Sequence, residues 1–79
     1  MIIDLHGCHI HEGWARFKRE VDQAYFAGAK RCPVITGQGA MMHEFPTWVH
    51  NHSRIREYRT TTRNPGSFII YLVKKVDLR

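Results

Sequence analysis

Between Ile10 and Ala24 the apolar residues fall at Ile10, Trp14, Phe17, Val21 and Ala24, a spacing of fours and threes that gathers them on one helical stripe. Arg16, Arg19, Glu20 and Gln23 take the wet side. His9 stands at the N-cap position, Glu12 three residues on supplies half a capping box, and Gly28 is a natural stop. Ahead of this helix, Ile2-Ile3-Asp4-Leu5 is a short apolar run that ends at His6-Gly7, the mark of a buried strand reaching a turn. Cys32-Pro33-Val34-Ile35-Thr36 reads as a second strand, with Pro33 near its start, where a missing N–H does least damage.

Met42, Phe45, Val49 and His52 repeat at threes and fours and predict a second helix, with Pro46 accommodated in its first turn. Ile55 to Thr60 alternates as an exposed strand does, Thr61 to Gly66 forms a turn around Asn64-Pro65-Gly66, and Ser67 to Val73 is a last apolar strand. Trp14, Phe17 and Phe45 are expected in the core, whereas the pattern does not assign Trp48 to either side. The order β-α-β-α-β-β, with two strand-helix-strand crossovers, predicts neighbouring parallel strands, a terminal hairpin and two layers.

Seventy-nine residues make at most one domain, read as residues 1–79, and no stretch approaches the length of a membrane span. Without a signal-like N-terminus the expected address is the cytoplasm. Cys8 and Cys32 are too few for a disulfide framework. A net charge of +5 and a pI near 9.7 favour polyanionic partners.

Asp4 and His6 lie two apart at a strand end, so they share a face and form a candidate acid/base pair. Ligands of parallel α/β sheets collect beyond the carboxyl ends of the strands, which is also where Thr36-Gly37-Gln38-Gly39 is expected. Gly37 and Gly39 let the backbone approach a ligand, the helix that follows offers free N–H groups to a phosphate, and Thr36 adds a hydroxyl. An Asp near a strand end is also a common turn former, a histidine there can simply fix the turn, and Gly-x-Gly can be only a tight turn.

Taken together, these residues resemble a known family. Asp4-Leu5-His6-Gly7, preceded by Ile3, is similar to the Leu-Asp-Leu-His-Gly motif of the Smr (small MutS-related) domains. Thr36-Gly37-Gln38-Gly39 resembles their second motif, His or Thr followed by Gly-x-Gly. The likeness extends through Glu12, Ala27-Gly28 and Gly66-Ser67, and so covers nearly the whole chain. It implies an α/β fold of the α+β two-layer kind: a four-stranded mixed sheet with two helices on one face, similar to the C-terminal domain of bacterial translation initiation factor 3. It also implies a hydrolase, an endonuclease acting on RNA or DNA. Two departures stand out: Ala40-Met41-Met42-His43 replaces the family's Gly and Leu-Arg, leaving His43 where a basic phosphate contact is usual, and His9 replaces a hydroxyl cap.

Arg54, Arg56, Arg59 and Arg63 fall within ten residues opposed only by Glu57, and the polar turn after them can bond phosphates. Arg56 and Tyr58, two apart on a strand, are expected to share a face on which a base could stack. The alternative is a charged edge strand protected from aggregation. His9/His11 and His50/His52 have alternate spacing but lie near or within helices, where residues two apart diverge, so no structural metal site is expected. The candidate set is therefore Asp4 and His6 for catalysis, Gly7, Thr36, Gly37, Gln38, Gly39 and His43 for phosphate, and Arg54, Arg56, Tyr58, Arg59 and Arg63 for the flanking strand. On RNA, the favoured substrate, His6 acts on the 2′-hydroxyl with Asp4 orienting it. On DNA a divalent cation, magnesium or manganese, at Asp4 takes its place. The competing classes are a nucleic-acid-binding module without turnover and a ribosome or protein adaptor; a monomer with no membrane partner is expected.

Overall fold

The computed structural model describes residues 2–61 and 64–74. In chain order the elements are β1 (Ile3–Asp4), α1 (Ile10–Phe26), β2 (Arg31–Ile35), α2 (Ala40–His50), β3 (Ile55–Thr61) and β4 (Asn64–Leu72). One four-stranded sheet runs in the order β1-β2-β4-β3, with β1 parallel to β2 and β4 antiparallel to both of its neighbours. The fold is the expected two-layer α+β arrangement with a mixed sheet. The second crossover, however, does not put parallel strands side by side. It leaves a one-strand gap between β2 and β3, and the terminal hairpin folds β4 into that gap. Antiparallel pairing on both sides follows, with nine-residue β4 as the central strand beside β2.

Alternation decides the core. Cys32 and Val34 of β2 and Phe68, Ile70 and Leu72 of β4 are buried beneath the helices, together with Ile3, Leu5 and Ile55. The stripe of α1 meets them through Phe17, Val21 and Ala24, and α2 through Met41, Phe45, Trp48 and Val49. Phe17 and Phe45 are fully buried, each worth about 1.5–3 kcal/mol in transfer free energy. Phe45 stacks on Phe68 with ring centroids 4.2 Å apart. Trp48 is buried as well, 5.2 Å from the half-buried Trp14 ring, because it follows Phe45 by one helical turn.

Helix α1 ends as its glycine predicts. Gly28 has φ 83°, its N–H bonds Tyr25 O, and Ala29 N–H bonds Ala24 O, the paired bonds of a Schellman motif. Helix α2 departs from expectation: it starts at Ala40, so Pro46 lies in its interior. The lost donor falls on an exposed position, where water can take the carbonyl it leaves free. His52 lies beyond the Asn51 C-cap. Asn64-Pro65-Gly66 is not the hairpin turn. These residues open β4 at an irregularity where Thr60 pairs with Phe68 but Thr61 with Asn64, a place that tolerates a proline without its N–H.

Candidate functional site: a cleft at two helix N-termini

Beyond Asp4 the chain makes a tight turn in which Cys8 N–H bonds Leu5 O at 3.0 Å. Gly7, third of its four residues, has φ 86°, the positive value that a type II turn requires. Asp4 fastens this turn, since its Oδ1 accepts the His6 main-chain N–H at 3.0 Å. The carboxylate thus holds the backbone of His6, and no bond joins it to the imidazole. Asp4 and His6, expected as a pair on one face, are thus joined through the main chain. The cause is distance along the chain: two residues apart at a turn, a short carboxylate reaches the next free N–H before it reaches a ring.

Across from this turn, β2 runs into Thr36 and Gly37 (φ 78°). Their donors are already engaged: Thr36 N–H bonds Gly66 O of β4 at 2.7 Å and Gly37 N–H bonds it at 3.2 Å, while the Thr36 hydroxyl shares its one hydrogen between Gly37 O at 2.9 Å and Gly66 O at 3.1 Å. Thr36 is buried, and its hydroxyl is committed to the fold instead of standing free for a ligand. The free donors lie one step further on. Gly39 is the extended N-cap of α2, with no side chain to cap the helix, and Met42 N–H already bonds Gly39 O. The N–H groups of Ala40 and Met41 therefore have no acceptor inside the helix.

The two segments meet. His6, Gly7, His9 and Ile10 face Thr36 to Met41 across an open cleft of about 520 Å³. His6 leans over Gly37, where a β-carbon would sit 3.8 Å from its Cδ2. The N-cap of α1, His9, also lacks a side-chain cap bond, so two helix N-termini with uncapped first turns open on one cleft. Both contribute partial positive charge and N–H donors, the usual elements of an anion seat. Glu12 lies in the first turn of α1. His43 is exposed on α2 and is not one of the cleft-lining residues.

The arginines expected to act together are divided between the two sides of the sheet. Arg54 is held by Asp22 of α1 at 2.5 Å, beneath the Tyr25 and Phe26 rings. Arg56 and Arg59 lie instead near Tyr71, with Cζ atoms 5.9 and 5.6 Å from its ring centroid. Tyr58 does not share their face: it packs edge-on against Phe45 and Phe68 in the core layer. A bulge between Ile55 and Glu57 adds one residue to β3 and reverses the parity that simple alternation predicts. Arg63 lies outside the described residues.

The alignment of chain order, strand-end turn and glycine loop is that of a known domain. The Smr domain family model matches residues 3–74. The chain belongs to the Smr domain family. Its fold is similar to the Smr domain of Thermus thermophilus MutS2, with a TM-score of 0.85 and 14% identity over 91% of this chain and 96% of that one. It is also similar to YdaL, a stand-alone small MutS-related protein from Escherichia coli, with a TM-score of 0.78 and 16% identity. That match covers 92% of this Smr domain and 64% of the YdaL chain. No curated protein sequence matches the chain. No helix among the described residues is long and apolar enough to cross a membrane.

Two residues, one at this cleft and one on the far side of the sheet, carry no local signal in the sequence. In sequence Gly66 reads only as part of a turn and as a point of family likeness, yet its carbonyl holds the Thr36-Gly37 loop. Tyr71, read as one apolar residue of a strand, is the aromatic beside which two guanidiniums lie. Its position opposite Arg31 depends on strand pairing that no local pattern reveals.

Proposed function

We propose that this Smr domain binds nucleic acid in the cleft between His6-Gly7 and Gly37–Met41 and cleaves RNA there as an endonuclease. One observation carries the reading: the imidazole of His6 and the uncapped N-termini of α1 and α2 open on the same cleft. A scissile phosphate seated on the Ala40 and Met41 N–H groups has its charge met by donors fixed in advance, which is where enzymes gain most of their electrostatic stabilisation. His6 then takes the proton of the adjacent 2′-hydroxyl. The 2′-oxygen attacks phosphorus, the bond to the 5′-oxygen breaks, and that oxygen receives a proton from solvent or from the imidazolium. Atoms and charge balance with no further reactant, leaving a 2′,3′-cyclic phosphate and a 5′-hydroxyl.

Asp4 is a positioning residue in this account, holding the turn that carries His6. Gly7 and Gly37 supply the positive φ values that shape the two lips of the cleft, and Gln38 lies exposed between them and α2. A divalent cation, expected if DNA is the substrate, fits the donor set poorly. Asp4 offers one carboxylate with one oxygen already bonded, and no group of three His, Cys, Asp or Glu is assembled among the described residues. Hard divalent ions take six or more oxygens, so no step is routed through one.

Cleavage of single-stranded RNA in the presence of chelator tests the proposal. Wild type should cut, and His6→Ala should lose about 10²- to 10⁴-fold in rate while retaining affinity. Asp4→Asn should fall between them, since an amide oxygen can still accept the His6 N–H. Binding without cutting by the wild type would leave a non-catalytic module, and absence of both would favour a protein or ribosome adaptor.

A further inference from the structure

Among the described residues, helices cover one face of the sheet and leave the other open. Register places Arg31, Pro33 and Ile35 of β2 on the other face, opposite the buried Cys32 and Val34, and Ile69 and Tyr71 of β4 opposite the buried Phe68, Ile70 and Leu72. At the end of this face remote from the cleft, Lys30, Arg31, Arg56, Tyr71 and Lys74 line a second depression of about 870 Å³. Arg56 faces it opposite the buried Ile55, and the β3 bulge turns Arg59 to the same side, so that it reaches the same tyrosine from two pairs up the strand. Among the described residues Glu57 is the acid paired with these arginines, 3.9 Å from both Arg56 Nη2 and Arg59 Nη2 and well exposed. Ion pairs of that length and exposure hold little, so the arginines are free to turn toward a ligand.

Resting on the cleft as a nucleic-acid site, we infer that the open face of the sheet is a track for single-stranded nucleic acid that runs from the cleft to Tyr71. Bases stack on the Tyr71 ring or on the guanidinium planes beside it, while Lys30, Arg31 and Lys74 meet phosphates. A second copy of this chain, itself at +5, is repelled by such a surface. A duplex keeps its base faces stacked and gives Tyr71 nothing to hold. The geometry also sets a length. Arg31 pairs with Tyr71 and Ile35 with Ser67, four residues up the strands toward the cleft, a separation of about 13 Å at the rise of a β-strand. Even at the stacked rise of about 3.4 Å per nucleotide, no more than about four nucleotides beyond the cleft are needed to reach the tyrosine.

The test uses 2′-O-methyl oligonucleotides, which bind but offer no 2′-hydroxyl to attack, and measures affinity by fluorescence anisotropy for a trimer, a decamer and a decamer duplex. Wild type should prefer the single-stranded decamer to both. Tyr71→Leu should weaken decamer binding about tenfold and leave the trimer unchanged, and Tyr71→Phe should restore it. Lys30→Gln with Arg31→Gln should lower the slope of log affinity against log salt by about 1.4 for the decamer alone. Circular dichroism melts identify any variant that fails to fold, and the phenylalanine variant keeps the question open to refutation in that event. If both variants bind the decamer as wild type does, the track is wrong and the cleft reading stands. Equal loss on decamer and duplex from the charge variant, with Tyr71→Leu silent, also overturns it, leaving an unspecific cationic surface. Failure of the wild type to bind any of the three removes the cleft reading and the track together.

Discussion

Replacing Gly66 by alanine brings a β-carbon to 2.6 Å from the Gly37 carbonyl carbon, 2.7 Å from its oxygen and 2.9 Å from its Cα. All three are backbone atoms, and none can swing aside as a side-chain tip would. Either β4 or the Gly37 loop must move, and both are tied at this point by the three hydrogen bonds that converge on Gly66 O. Overpacking of a tight site costs about 1–3 kcal/mol, and a shift that weakens one of these hydrogen bonds adds about 0.5–1.5 kcal/mol. The lower entropy of the unfolded alanine chain returns about 0.4–1 kcal/mol. The expected net loss is about 2–3 kcal/mol, or roughly 10–20 °C in melting temperature for a domain of this size. Gly13→Ala is the matched control. There the new β-carbon meets the flexible end of Met41, Cε at 2.5 Å and Sδ at 3.0 Å, and the helix gains about 0.8–1 kcal/mol in propensity, so the change should be near neutral. Urea and thermal melts of the two variants decide the matter. A Gly66→Ala protein within about 0.5 kcal/mol of wild type would refute the claim that this backbone contact builds the loop.

Three further outcomes follow from other parts of the structure. Burial holds His52 below its ordinary value of 6.5 against the opposing pull of Asp22, so the unfolded chain binds the proton more readily than the fold does. Its neutral form contributes stability that is present above pH 6.5 and lost as pH falls from there through the lower folded value; urea midpoints between pH 7.5 and 5 should drop, and less so in His52→Gln. Burial raises the Cys32 thiol, whereas Cys8 is half-exposed, so iodoacetamide should modify Cys8 in the native protein and reach Cys32 only with denaturant, as peptide mass mapping will report. Arg54→Ala should destabilise the fold by about 1 kcal/mol without changing nucleic-acid affinity, because its partners are Asp22 and two rings; a loss of affinity larger than the loss of stability would return it to the binding surface.

What the sequence disclosed was local. The Ile10-to-Ala24 stripe and the Gly28 stop depend on spacings within a few residues, and both stand in the structure as read. Asp4, His6, Gly7 and the Thr36-to-Gly39 loop were legible because chain order alone sends both segments to the carboxyl ends of neighbouring parallel strands. The roles within that site were less so. Thr36 gives up its hydroxyl and Gly37 its N–H to a glycine thirty residues away in sequence for the former, and that partner is invisible to any short window. Arg54 reads with its neighbours in sequence, but Asp22, from another element, takes it out of the cluster. Pro46 obeys tertiary packing instead of helix chemistry, since Phe45, Trp48 and Val49 on the same helix are buried and hold it across the proline. A single extra residue at Arg56, the smallest change that can turn a strand over, sends Tyr58 to the core face against the expected alternation.

The central claim is that His6 and the donors of the cleft cut RNA through its own 2′-hydroxyl. The most direct measurement uses a DNA oligonucleotide that carries one ribonucleotide, incubated with the wild-type domain in chelator and analysed by mass spectrometry of its fragments. The account predicts one cut, immediately 3′ of the ribonucleotide, leaving a 2′,3′-cyclic phosphate on one product and a 5′-hydroxyl on the other. Cuts spread along the deoxyribose positions, or products ending in a 5′-phosphate, would contradict it.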